Sequence, residues 1–210
     1  MPGNANLYNA SFTSGALLFD ETDALIKFVM ENGVSEIGKF AQEEGLLKIN
    51  SKKARDRKVK EIIKRYQSVP VEFWSCYHEL KSKSEKMVFL YFVCLKTYSL
   101  IRDFHWEVAL TKWRQLDINL IKQDFMRFLN RSSDKHFEID EWSETTKEKL
   151  GQVILLMMKE AGIIVSGKMK QVFLPSEFWL FFIKNGEGWF LEAMFLSKEQ
   201  RDVLNKNIGA

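Results

Sequence analysis

MVFLYFVCL, residues 87–95, is the longest uninterrupted apolar run in the chain, and it decides the fold. A helix that spans a bilayer needs about 20 apolar residues, so this run predicts a buried helix rather than a membrane span. The surrounding pattern extends the predicted helix over residues 84–103, with apolar side chains around most of its circumference. We therefore expect this helix to lie at the centre of the fold.

Composition favours further helices around this centre. The chain contains only 3 Pro and 11 Gly, and 46% of its residues are hydrophobic, which is enough for a large core. The spacing of apolar residues predicts helices on both sides of the central one, over residues 20–32, 35–45, 70–81, 105–115, 117–130 and 143–161. The sequence thus predicts an all-α, compact helical globule.

A strongly basic stretch lies upstream of the central helix, at residues 51–66 (SKKARDRKVKEIIKRY). It carries eight Lys or Arg against two acids, a net charge of +6, whereas the rest of the chain sums to −3. On a helix, four apolar side chains would face the core: Val59, Ile62, Ile63 and Tyr66. Four cations would form a row on another side: Lys53, Arg57, Lys60 and Lys64. Ser51 is the predicted N-cap, because its hydroxyl can accept a free amide of the first turn.

A cationic row without interleaved acids is typical of a helix that contacts nucleic-acid phosphates. Like charges one turn apart cost about 0.2–0.5 kcal/mol per pair, and a bound anion would offset that cost. The alternative interpretation is an ordinary solvated face. The predicted helices at residues 20–32, 35–45 and 51–66 fit a helix-turn-helix unit, but any three-helix bundle has the same order.

A similar pattern recurs at residues 143–149 (SETTKEK). It again begins with a Ser cap followed by basic positions, and its hydroxyl groups can contact phosphate. Thr145 and Glu148 have the spacing of a capping box. This pattern predicts a second basic helix start.

β-prone residues 163–165 and 171–174 flank Ser166-Gly167-Lys168, and they predict a short hairpin carrying Lys168 and Lys170. The hairpin would be the wing of a second helix-turn-helix. We therefore divide the chain into an N-terminal helix-turn-helix region (1–68), a central helical region (69–132) and a C-terminal helix-turn-helix region with a wing (133–210), packed as one unit.

No catalytic or cofactor motif is present: GxxxxGK[ST], GxGxxG, GxSxG and HExxH are all missing. The three histidines fall on different predicted elements: His78, His105 and His136. Acids at residues 138–141 precede a predicted helix, where negative charge is favourable, so we assign no metal site. Cys76 and Cys94 lack metal-ligand spacing and indicate buried thiols in a reducing compartment. Residues 1–10 contain no signal peptide, so we expect a cytoplasmic protein. Since no catalytic or metal-binding motif is present, we also expect a non-enzyme without cofactor or metal, and a monomer when alone.

Three segments carry a family resemblance: residues 8–15 (YNASFTSG), 96–104 (KTYSLIRDF) and 142–150 (WSETTKEKL), the last continuing to KEAG at 159–162. They resemble the BrxA family, the small non-catalytic component of BREX (bacteriophage exclusion) defence systems, over roughly residues 8–196. The resemblance implies an all-helical cytoplasmic protein with two helix-turn-helix motifs beside positive patches. Such a protein would bind double-stranded DNA and act with the BREX methyltransferase and further BREX subunits.

The resemblance also implies two DNA-facing helix starts. They consist of Ser51, Lys52, Lys53, Arg55 and Arg57, and of Ser143, Thr145, Thr146, Lys147 and Lys149. The basic row adds Lys60 and Lys64, and the hairpin adds Lys168 and Lys170. Ala54 departs from the pattern, because a hydroxyl residue is expected there.

Two other functions compete with DNA binding. The first is a protein-interaction adaptor of the same complex, whose basic helix docks on an acidic partner. The second is an enzyme with an unrecognised site.

Overall fold

Helices make up most of the computed structural model, which describes residues 7–36, 40, 47, 49 and 51–206. In chain order the helices are α1 (Phe19–Asn32), α2 (Lys52–Tyr66), α3 (Val71–Glu79), α4 (Lys83–Thr97), α5 (Ser99–Phe104), α6 (Leu110–Arg114), α7 (Lys122–Ser132), α8 (Glu144–Glu160), α9 (Ser176–Lys184), α10 (Trp189–Ala193) and α11 (Lys198–Lys206). Short 3₁₀ turns occupy Ser11–Ser14, Val34–Glu36 and Phe137–Ile139, and a π-helical turn, His105–Ala109, joins α5 to α6. The prediction of a mostly α-helical fold is confirmed.

The apolar run forms the central helix α4, as predicted. Every residue from Val88 to Leu95 is buried, and Phe92 packs its ring against Phe182 and Phe190 of the C-terminal helices. Each fully buried side chain of this size contributes about 1.5–3 kcal/mol, so the continuous burial of α4 is a large contribution to the stability of the core. Within the described residues, every helix is too short or too polar to cross a bilayer.

The predicted single helix over residues 84–103 is wrong at one point, because it breaks at Tyr98. Tyr98 has extended backbone angles (φ −124°, ψ 109°) and separates α4 from α5. Just before the break, the Thr97 hydroxyl donates to the Val93 carbonyl at 2.7 Å. Such a side-chain bond competes with the helical ladder and bends it. The Tyr98 hydroxyl is held by the buried guanidinium of Arg65, 3.2 Å away.

Several other boundaries differ from the predictions. Helix α1 begins one residue before the predicted start, after Leu18, which has a left-handed conformation (φ 57°), and Asp20 lies in its first turn. The helix predicted over residues 117–130 begins only at Lys122. The helix predicted over residues 35–45 lies almost wholly outside the described residues.

The predicted hairpin is present with a different second strand. β1 (Ile164–Val165) pairs antiparallel with β2 (Lys168–Met169), and Ile164 lies opposite Met169. Ser166 (φ 51°) and Gly167 (φ 78°) form a two-residue turn that suits tight hairpins. This short turn fixes the register, so the second strand precedes residues 171–174 instead of including them.

The N-terminal segment Tyr8–Leu18, which we name the strap, lies across the body of the protein. At one end the Tyr8 amide donates to Glu138 at 2.5 Å, and its ring stacks on His136 with centroids 3.6 Å apart. At the other end the Leu17 amide donates to Glu160 at 2.8 Å. The strap therefore holds the start of the C-terminal region and the end of α8, and it also packs on α2.

Candidate nucleic-acid interface

Helix α2 adopts the predicted orientation on the core. Val59, Ile62 and Tyr66 are buried, and Ile63 is partly buried against the same core. The Ser51 hydroxyl accepts a hydrogen bond from the Ala54 amide at 3.4 Å, which confirms the predicted cap. Burial of this apolar face leaves the opposite face of α2 toward solvent.

The predicted basic row lies largely on that solvent-facing side. Lys53, Arg57 and Lys60 are exposed, and so is Lys52 at the helix start. Among the described residues, no carboxylate lies within ion-pair distance of any of these four cations. Arg55, also predicted to contact DNA, is only partly exposed. Within the described residues the exposed row thus carries an uncompensated positive charge, as expected for a surface that meets a polyanion.

Lys64, the last member of the row, is held against the strap. Its Nζ donates to Ser11 Oγ at 3.0 Å and lies 4.7 Å from the centre of the Tyr98 ring. Burial lowers the pKa of Lys64 below its ordinary value, and the neighbouring Arg65 acts in the same direction while Glu61 opposes it. Lys64 is therefore a partly buried member of an otherwise exposed row.

Two further cations of the basic stretch have structural roles. The Arg65 side chain is 2% exposed and lies 3.4 Å from Glu61, whose side chain is 5% exposed. Lys58 forms an ion pair with Glu21 of α1. Arg65 follows Ile62 by three positions and precedes Tyr66, so it lies beside the apolar face of the helix, but its charge placed it among the cations of the basic stretch and not among the predicted core residues.

The C-terminal candidate residues surround the start of α8. The Ser143 hydroxyl accepts from the Thr146 amide at 3.2 Å, so Ser143 is the cap and the predicted Thr145/Glu148 capping box is wrong. Thr145 and Lys149 are exposed, whereas Lys147 forms an ion pair with Glu144 at 3.0 Å and is only 15% exposed. Lys147 is thus less accessible than expected.

The hairpin follows α8 directly and presents both predicted lysines, Lys168 and Lys170, to solvent. A third extended segment joins it: the Met169 amide donates to the Ile118 carbonyl at 2.7 Å, and Asn119 bridges to Lys168. In chain order the region consists of this segment, α7, α8 and the hairpin. The connection between α7 and α8 spans residues 133–143, far longer than a three- or four-residue helix-turn-helix turn.

The structure adds three residues that the sequence analysis did not assign to a site. Ser11, Thr13 and Ser14 of the strap line one cleft with Arg57, Lys60, Glu61 and Lys64 of α2. The available signal was the run of hydroxyl residues in SFTS at positions 11–14.

The described residues offer little to redox or metal chemistry. Burial raises the pKa of Cys94 to about 11, and the same cause raises that of Cys76 to about 11, so both thiols stay protonated at neutral pH. In the part of the chain that the structure describes, no three His, Cys, Asp or Glu side chains form a group that could hold a metal ion.

The fold and this surface define a mainly helical protein with an exposed basic row on one helix and a basic hairpin at the other end of the chain. The BrxA family model matches residues 6–186, so the chain belongs to the BrxA family, a family of BREX defence systems. A crystal structure of an uncharacterized protein from Magnetospirillum magneticum shares the fold, with a TM-score of 0.73 and 18% identity, over 89% of this chain and 97% of that chain. No curated protein matches the chain significantly.

Proposed function

We propose that this protein is a non-catalytic, double-stranded-DNA-binding accessory subunit of a BREX system, cytoplasmic and monomeric when alone. The observation that carries the proposal is the exposed row of Lys53, Arg57 and Lys60, for which the described residues supply no carboxylate partner. A chain that leaves like charges side by side on one helix face gains free energy when an anion neutralises them.

Phosphate contacts would supply most of the affinity, with little discrimination between bases. Neutralising Z phosphates gives a slope of about −0.9Z in the dependence of log K on log salt. Three or four cations of α2 therefore predict a slope of about −3 to −4, and an affinity loss of roughly 100-fold between 50 and 200 mM salt.

We further propose that the C-terminal region is a winged helix-turn-helix, with the start of α8 and the hairpin as the second DNA-contacting surface. The order of α7, α8 and hairpin supports this, as do the exposed side chains of Thr145, Lys149, Lys168 and Lys170. The long connection between α7 and α8 distinguishes it from a compact helix-turn-helix. The start of α8 offers amide and hydroxyl donors, which are suitable phosphate ligands.

The test compares two triple variants of equal charge change. Lys53→Glu/Arg57→Glu/Lys60→Glu reverses the row, and Lys27→Glu/Lys81→Glu/Lys184→Glu reverses three exposed lysines elsewhere. In an anisotropy assay with a 20-bp duplex, the row variant should lose about 100-fold or more in affinity and the control variant far less. Equal losses would show that only net charge matters, and unchanged binding by the row variant would exclude α2 as the DNA surface.

A protein-interaction adaptor is the second candidate function. It is favoured by large exposed apolar side chains near the C-terminal helices: Leu116 is 87% exposed, Phe173 78% and Val203 60%. Single exposed apolar residues are common, but several in one region favour a protein contact. The test is a pull-down of the methyltransferase or another BREX subunit from nuclease-treated lysate. If the row variant still captures the subunit, the partner binds this apolar region and not the basic row.

A further inference from the structure

A polar cleft of about 490 Å³ lies between the 3₁₀ turn Ser11–Ser14 and helix α2. We propose that this cleft binds one phosphate group of the DNA backbone, with the Ser14 hydroxyl of the turn as a ligand beside the cations of α2. The proposal rests on the proposed function and adds a defined phosphate site, together with three residues of the strap, to the exposed row.

The charge of the cleft suits an anion. Three cations line it, Arg57, Lys60 and Lys64, against a single carboxylate, that of Glu61. Glu61 already faces the buried guanidinium of Arg65 at 3.4 Å. The positive charge of the three lining cations is therefore available to a ligand.

Lys64 is the cation most in need of a counter-ion. Its ammonium group contacts two neutral oxygens, Ser11 Oγ at 3.0 Å and Asn9 Oδ1 at 3.5 Å, and no described carboxylate lies within ion-pair distance. Burial disfavours a charged amine unless an opposite charge is near. A phosphate oxygen beside Lys64 would supply that charge.

A phosphodiester oxygen accepts hydrogen bonds, so a hydroxyl of the turn that serves as its ligand must have a proton free to donate. Ser14 Oγ is buried in the wall of the cleft, and it has no hydrogen-bond partner among the described residues. Ser11 Oγ donates to Asn9 Oδ1 at 2.8 Å, and Thr13 Oγ1 donates to the Ala10 carbonyl at 3.1 Å. Buried polar groups are normally paired, and rotation of the Ser14 side chain about χ1 would turn this unused donor toward a phosphate in the cleft. Ser and Thr hydroxyls are common partners of backbone phosphates.

The lining favours a backbone phosphate over a free nucleotide. Its one apolar side chain among the described residues is that of Ala10, so no aromatic ring is available on which a base could stack. Lys53, by contrast, continues the row along α2, about 16 Å from Lys64 at a rise of 1.5 Å per residue. A polymer can occupy the cleft and the exposed row together.

The test removes hydroxyls without changing charge. Full-length wild type, Ser14→Ala and Ser11→Ala/Ser14→Ala are titrated against a fluorescent 20-bp duplex, with Ser75→Ala on the exposed surface of α3 as the matched control. We expect the double variant to bind about 5- to 20-fold more weakly with an unchanged salt slope, because the hydrogen bonds are lost but no cation is. Lys60→Ala should instead reduce the slope by about 0.9. Circular dichroism and thermal melting verify that each variant is folded. If the double variant does not fold, the Ser14→Ala variant alone is compared with wild type.

Inorganic phosphate and AMP, tested as competitors of the duplex, distinguish the two sources of a phosphate group. If phosphate and AMP displace the duplex only at concentrations far above the duplex Kd, the site is specific for a backbone phosphate. If AMP binds tightly to wild type but not to the hydroxyl variants, and these variants bind DNA normally, the cleft is a nucleotide site and the backbone-phosphate site is overturned. If the hydroxyl variants bind DNA as tightly as wild type while the row variant still loses binding, the phosphate site in the cleft is overturned but the exposed row is not. Failure of the wild type to bind the duplex overturns the proposed function itself.

Discussion

Arg65 Nε lies 3.4 Å from Glu61 Oε1, and both side chains are almost completely buried. The guanidinium also donates to the Ala16 and Leu17 carbonyls of the strap, at 2.9 and 3.0 Å. One cation of the basic stretch is therefore a core residue that fixes the strap to α2.

Replacing Arg65 should destabilise the protein strongly. Arg65→Met leaves Glu61 as an uncompensated buried charge and frees two strap carbonyls, so we expect a loss of about 3–5 kcal/mol in the free energy of unfolding. Urea denaturation measures it, with Arg57→Met as the exposed control expected to stay within about 0.5 kcal/mol. Adding Glu61→Gln to Arg65→Met should recover part of the loss, and a further loss instead would contradict this role.

Ser51 allows stability and DNA binding to be separated. Ser51→Ala removes the cap of α2 and should cost about 1 kcal/mol, whereas Ser51→Asp should keep the cap and the stability. The new carboxylate lies beside Lys52 and Lys53, so Ser51→Asp should nevertheless weaken DNA binding. Thermal melts and anisotropy on the same samples measure both effects. If DNA affinity changes only as stability does, so that Ser51→Asp binds DNA as tightly as wild type, the start of α2 does not face DNA.

Gly151 of α8 packs directly against Phe125 of α7. A Cβ built there would lie 2.8 Å from Cδ1 of Phe125, a fully buried ring. Although Ala favours a helix over Gly by about 1 kcal/mol, Gly151→Ala must displace this ring, and overpacking typically costs about 1–3 kcal/mol. We expect a net decrease in thermal stability. Gly188→Ala, where a Cβ meets open space, should be nearly neutral, and a Gly151 variant more stable than wild type would refute the packing argument.

His105 should make stability depend on pH. Its Nε2 donates to the Ala193 carbonyl and its Nδ1 accepts from Tyr91, each at 2.7 Å, and burial lowers the pKa of the imidazole to about 4. In the unfolded chain the group titrates near 6.5, so the unfolded state binds more protons between these values. The contribution of His105 to the free energy of unfolding is therefore fully present above about pH 6.5. It is lost as the pH falls toward 4, by about 3 kcal/mol in total.

The measurement is urea unfolding at pH 7 and pH 4.5 for wild type, His105→Gln and His78→Gln, the last being an exposed histidine. Carboxylates with lowered pKa values, such as Glu192 beside Arg114, also destabilise the protein in acid, so the difference between variants carries the information. His105→Gln should have a flatter pH dependence than wild type, and His78→Gln should match wild type. Equal slopes in all three would contradict a neutral buried His105.

The sequence predicted most elements because their causes are local. The apolar period of α2, the Ser51 and Ser143 caps, and the hairpin turn at Ser166-Gly167 each depend on residues within about one turn of each other. The errors have two causes. Tyr98, which ends α4, is bonded to Arg65 from 33 positions away, and such a contact leaves no period in the sequence. The other two contacts are local, because Thr97 bonds to Val93 and Lys147 pairs with Glu144 within one helical turn, but apolar spacing does not register side-chain hydrogen bonds or ion pairs.

Taken alone, the sequence determined a helical fold around residues 87–95, a concentration of positive charge on α2 and the family. Only the tertiary structure decided which cations face solvent and which serve the core. Lys53, Arg57 and Lys60 stay exposed, whereas Arg65 is enclosed by the strap, a segment about 50 residues away in the chain. Helical periodicity states which side chains share a face, but the burial of that face depends on what packs against it, and long-range packing leaves no period in the sequence.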